Sequence, residues 1–146
     1  MINCLTLGET AKIYNFLKQE MKQKIANDFG LSDAQFNSIL KMLTKFRNMC
    51  AHNERFLDFR PKDSLSLLPI HRKLNITNKY GRDDLFATFI ICKTLLTYDD
   101  FNKLFIDFIS ELKKLKFDCL KFKNNSSAKM LKLMNFPENY LDLLNC

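Results

Sequence analysis

Ser32 to Arg55 reads SDAQFNSILKMLTKFRNMCAHNER, and this stretch decides the fold. Ser32-Asp33-Ala34-Gln35 matches a capping box: the serine oxygen takes a backbone N–H three residues on, and the glutamine side chain reaches back. Counting about 100° per residue, Phe36, Ile39, Leu40, Leu43, Phe46 and Cys50 share one broad side. That side is the expected core face, with Cys50 pointing into it. Roughly opposite lie Lys41, Thr44, Asn48, His52 and Arg55. Arg47 stands at the edge of the core face, about 140° from His52, with the small Ala51 between them. The helix is expected to continue to Arg55.

Working outward, residues 9–29 predict two helical pieces, and Gly30 is a natural stop in the left-handed C′ position. Downstream, periodicity breaks over residues 57–82, where Pro61, Pro69 and Gly81 fall. A long loop with one short turn of helix is expected there; its His71 reads as structural. Asp83 or Asp84 should open a central helix to about Thr97. Asp99 and Asp100 supply acidic first-turn residues to the next. In that helix Phe101, Leu104, Phe105, Phe108, Ile109, Leu112 and Leu115 recur at helical spacing, and this stripe reads as core rather than as a base-stacking platform. Lysines crowd residues 113–132. Ser127 is a candidate N-cap for a helix through Met134, and Pro137 fits the first turn of a last short helix.

Three glycines and three prolines in 146 residues, with 47% apolar content, argue for an all-α fold in one domain covering 1–146. The formal net charge of +7 makes a polyanion the first-guess partner. No apolar run approaches the ~20 residues that span a bilayer, and no secretory signal opens the chain. Five widely spaced cysteines without a CxxC pair read as reduced, mostly buried thiols of a cytoplasmic protein.

Arg47, Asn48 and His52 carry the chemistry. Cutting RNA requires a proton to leave the attacking 2′-OH, a proton to reach the leaving 5′-oxygen, and a cation for the charged phosphorane. Imidazole moves protons near neutrality. Guanidinium stays charged and matches phosphate oxygens with paired donors. Asn48, one turn before His52, can orient the ring or touch ribose or phosphate. One histidine serves poorly as both acid and base, so a homodimer through this helix, joining two such sites, belongs to the expected mechanism. Lys41, Arg55, Lys113, Lys114 and Lys116 are candidate RNA contacts. The chain has no HExxH and no P-loop, and no paired carboxylates lie near the motif, so neither a metal nor another cofactor is expected. Cys50 and His52, two apart on a helix, do not face each other as a nucleophile pair.

Arg47 and His52 match the Rx4-6H signature of HEPN ribonucleases. The longer string Arg47-Asn-Met-Cys-Ala-His-Asn-Glu-Arg55 resembles the RNxCAHxxR core of Abi D/F-type abortive-infection proteins. Ile25–Leu31 looks like that family's approach to the motif helix. Met134-Asn-Phe-Pro-Glu-Asn-Tyr140 is similar to its MGFPENW, with Asn135 for Gly and Tyr140 for Trp, so the resemblance runs from about residue 5 to 141. It implies a HEPN-like bundle, homodimerisation, metal-independent RNA cleavage by Arg47 and His52 with Asn48 between them, and a role in phage defence. It also implies an antitoxin or a noncoding RNA as a further partner. Members carry a helical region ahead of this one, so the chain is expected to be a fragment or a compact form. A non-catalytic RNA-binding module would use the same residues. The structural alternative has Arg47 capping carbonyls or pairing with an acid, and His52 satisfied at a helix end.

Overall fold

The capping box read from sequence at Ser32 closes as expected, and a second one opens the first helix. The computed structural model describes residues 6–52, 59–76, 80–121 and 126–145, with backbone alone at 115–121, 126–128 and 145. Thr6 Oγ1 accepts the Glu9 N–H and the Glu9 carboxylate accepts the Thr6 N–H, opening α1 (Leu7–Phe16). α2 (Gln19–Asp28) ends where Gly30 turns to φ 66°. The Leu31 N–H then reaches Ala26 O and the Gly30 N–H reaches Asn27 O, closing a Schellman motif. Ser32 and Gln35 form the box that starts α3 (Asp33–Ala51). After it come α4 (Pro69–Lys73), α5 (Leu85–Leu95), α6 (Tyr98–Lys121), α7 (Ser126–Leu133) and α8 (Tyr140–Asn145). The described residues form no strand, so the all-α expectation holds, and α4 is the short turn of helix within the long loop.

α1 lies antiparallel on α3. Its Tyr14 ring meets Phe36 at 5.1 Å, while Gly8, at the other end, stands where a Cβ would lie 3.6 Å from Thr44. Among the described residues, the cover that α1 gives starts level with Thr44. The flank burying Phe36 and Leu40 is therefore bare further along, and the buried line drifts to Met42, Phe46 and Met49. This corrects the placement of Cys50: its thiol is exposed. Cys92, the other described thiol, is partly buried, and burial pushes it above its ordinary value. α3 also stops sooner than expected. His52, at φ −97° and ψ 7°, has left helical geometry and serves as C-cap.

α5 is central, as its all-round apolarity predicts. Phe86, Ala87, Ile90 and Ile91 are fully buried, and each large side chain among them contributes about 1.5–3 kcal/mol. Phe136 sits among Phe86, Phe89 and Phe108 at 5.2, 5.5 and 5.4 Å, so phenylalanines from three segments share one cluster. Phe101 and Phe105 of α6 are buried and Leu104, Phe108 and Ile109 pack half-buried against the core, so the stripe is core as far as Ile109; the Leu115 side chain lies outside the described residues. α8 buries Leu143 and Leu144; Pro137 precedes it instead of entering its first turn, because the chain first turns through Pro137–Tyr140. α7 begins at Ser126, one residue before the candidate cap Ser127. Among the described residues no helix is long and apolar enough to cross a membrane.

A buried polar network joins the loop to α5 and the chain's end. Asp84, fully buried, caps α5 through the Ala87 N–H at 2.9 Å, and also accepts the Gly81 N–H and Asn135 Nδ2 at 2.6 Å. His71, 1% exposed, accepts the Leu68 N–H at Nδ1 and donates from Nε2 to Gly81 O at 2.8 Å. These bonds select the neutral Nε2–H tautomer, and desolvation holds the ring below its ordinary value of 6.5. The folded protein therefore binds fewer protons here than the unfolded chain. This stability is complete above about pH 6.5 and is lost as pH falls through that value toward the folded pKa. Thermal melts between about pH 8 and pH 5 should show a falling midpoint, and His71→Gln should flatten the slope.

Asn135 adopts φ 59°, a conformation asparagine tolerates better than most residues. Asn135→Ala should cost about 2 kcal/mol, from backbone strain and the lost bond to Asp84. Asn135→Gly, which removes only the second term, should cost about half as much. Urea denaturation of the two variants checks that order.

Candidate functional site

The exposed end of α3 carries the polar residues singled out in the sequence. Arg47, Asn48, Ala51 and His52 are all solvent-exposed. Arg47 and His52 lie well apart around the helix, yet the arginine leans round its surface to its neighbour: its Nη1 donates to Asn48 Oδ1 at 3.0 Å. The carbonyl of the same asparagine accepts the His52 N–H at 3.0 Å. Asn48 is therefore held from both sides, with the guanidinium against its side chain and the histidine capping its turn. Across the helix pair, Glu9 is kept below its ordinary value first by the Thr6 backbone and hydroxyl, and further by the charges of Lys12 and Arg47. A cation, an amide and an imidazole thus face solvent on one helical turn and its cap.

The other candidates are spread out. Lys41 is exposed on α3, beside a cleft of about 310 Å³ lined by Asn37, Ser38, Asp63, Ser64 and Ser66. Lys113 and Lys114 are exposed on α6, and Lys114 pairs with Glu111 at 2.6 Å, which raises its pKa. Lys116 falls on the same helix, where only the backbone is described, and Arg55 lies outside the described residues. The fold brings Arg47, Asn48 and His52 together and leaves the α6 lysines on a separate element. The cleft itself was not legible from sequence, since it needs the 63–66 segment folded against α3. The clue that was there is the polar spacing of Asn37, Lys41 and Lys45. Among the described residues, no three His, Cys, Asp or Glu side chains gather closely enough to hold a metal ion.

Residues 1–58 match the family model of Abi-like proteins. The match ends just past the arginine–histidine motif, so the Abi-like similarity covers α1, α2 and α3 together with the candidate site. No curated protein and no solved structure matches the chain. The Met134–Tyr140 segment lies beyond the matched Abi-like range. Its Asn135, standing where the resembling pattern has glycine, occupies the left-handed backbone that explains a glycine or asparagine at that point.

Proposed function

We propose that the chain is a HEPN-type, metal-independent endoribonuclease of phage defence, resembling the Abi D/F type and acting in the cytoplasm as one domain. The observation that carries this reading is the Arg47–Asn48 hydrogen bond beside the exposed His52 cap. It gathers a phosphate-binding cation and a proton carrier around one fixed amide. The Abi-like match over the same residues supports it.

In the proposed reaction the 2′-oxygen attacks phosphorus while the bond from phosphorus to the 5′-oxygen breaks. The base removes the 2′-OH proton, and the leaving oxygen gains one from an acid. The products are a 2′,3′-cyclic phosphate and a 5′-hydroxyl. Arg47 neutralises the charge gathering on the phosphorane, Asn48 orients the guanidinium, and His52 moves a proton. A homodimer through the motif helix supplies a second histidine, so that acid and base are separate groups. An antitoxin or a noncoding RNA would restrain the toxin until infection.

Incubation with RNA in EDTA tests the chemistry. Fragments ending in 2′,3′-cyclic phosphate are expected, with 2′-O-methylated RNA left intact because it lacks the nucleophile. Cleavage of the methylated RNA would overturn the reading. Mixing Arg47→Ala with His52→Ala tests the shared site: mixed dimers should recover part of the activity that neither variant has alone.

A second reading, a non-catalytic module that holds an RNA, draws on the exposed lysines at 41, 113 and 114. It predicts RNA affinity with no cleavage.

A further inference from the structure

Resting on that ribonuclease reading, we infer that the cleft between α3 and residues 63–66 is an RNA subsite, holding a phosphate and ribose a few nucleotides from the scissile bond. At about 100° per residue, Asn37, Lys41, Lys45, Asn48 and His52 fall within about 80° of arc. They form a continuous polar stripe down α3, on which none of the five is buried. The cleft sits at the far end of that stripe, with Lys41 about 16 Å along the axis from His52. A strand of RNA reaching the motif along the stripe passes over it.

The lining suits a ribonucleotide. Lys41, Lys45 and Lys62 all act on Asp63, whose carboxyl is held below its ordinary value first by its hydrogen bond from Lys45 and then by these charges. Lys45 Nζ is committed to Asp63 at 2.6 Å. Three cations around one carboxylate leave a local excess of positive charge, and Lys41 lines the cleft itself. Asn37 is the second half of the site. Among the described residues its amide oxygen, shut off from solvent, has no hydrogen-bond partner. The amide can turn into the cleft without giving up a bond from its oxygen, and an acceptor there suits the donor that ribose has and deoxyribose lacks, the 2′-hydroxyl. Ser38 is already engaged, its Oγ accepting the Ser66 N–H at 2.8 Å and holding the far wall in place.

Fluorescence anisotropy tests this in the slow-cleaving His52→Ala background. The probe is an end-labelled single-stranded RNA of mixed sequence, with DNA of the same sequence alongside, in EDTA over a range of KCl concentrations. Lys41→Gln should weaken RNA binding roughly five- to tenfold and make the salt slope shallower by about 0.7. Asp63→Asn should act in the opposite direction, tightening binding about two- to fivefold by removing a facing anion and freeing Lys45. Asn37→Ala should narrow the preference for RNA over DNA, and Lys24→Gln, on α2, should change nothing. Unaltered affinity and slope in Lys41→Gln, with no tightening in Asp63→Asn, would overturn the subsite. If Arg47→Ala still lost binding in that case, the ribonuclease reading would survive without the cleft. No RNA affinity in the parent protein would sink both.

Discussion

Arg47→Ala and His52→Ala should each slow RNA cleavage by about 10²–10⁴-fold and leave the melting temperature within a degree or two of wild type. Both side chains are exposed, and surface replacements usually change stability by no more than about 0.5 kcal/mol. The double variant should be little worse than either single one, because groups that act on one transition state do not add. Arg47→Lys keeps the charge but loses the paired-donor geometry, and should fall between wild type and alanine. Asn48→Ala removes the acceptor that holds the guanidinium, so its deficit should be partial and of the same kind. Rates from labelled RNA in EDTA, with melts on the same samples, check all five variants. A loss of rate that tracked a loss of folding would return Arg47 and His52 to a structural role.

The largest stability effect should come from Asp84, a buried cap on α5. Asp84→Ala removes the cap of α5, strands the Gly81 N–H in the interior and takes away the bond from the Asn135 amide. The cap is worth about 1 kcal/mol and the stranded Gly81 donor about 1–3 kcal/mol, so a loss of about 3 kcal/mol is expected. For a chain of this size that corresponds to a drop of roughly 10 °C in melting temperature. Asp84→Asn should cost less, since its carbonyl oxygen still accepts the Ala87 N–H. Burial pushes the carboxyl above its ordinary range, while bonds from Asn135, Gly81 and Ala87 pull it back. With the folded pKa raised, this group's contribution is complete below the unfolded value near 3.8 and shrinks as pH rises through the folded one. It runs opposite to the contribution of His71. Denaturant titrations of the two variants decide between cap and charge.

Local chemistry carried most of what the chain revealed before its structure. Ser32 with Gln35, Gly30 and Asp84 mark helix ends through bonds to their own neighbours, so a few residues suffice to read them. The apolar periods of α5 and α6 were legible for the same reason. Cys50 was misplaced because a helical wheel knows the angle of a residue but not where its covering helix begins. The His71–Gly81–Asp84–Asn135 network stayed hidden because it joins residues up to 51 apart, between a loop and the chain's end. At the candidate site, the residue types at 47, 48 and 52 were visible in the sequence. That Arg47 turns to Asn48 was not, since side-chain direction at a wheel's edge depends on its neighbours.

The most direct test of the central proposal is the 3′ end left on RNA by wild type and by His52→Ala, on pooled tRNA and a phage transcript in EDTA. The proposal predicts 2′,3′-cyclic phosphate ends from wild type alone. Equal cleavage by both proteins, or 3′-hydroxyl ends, would contradict it.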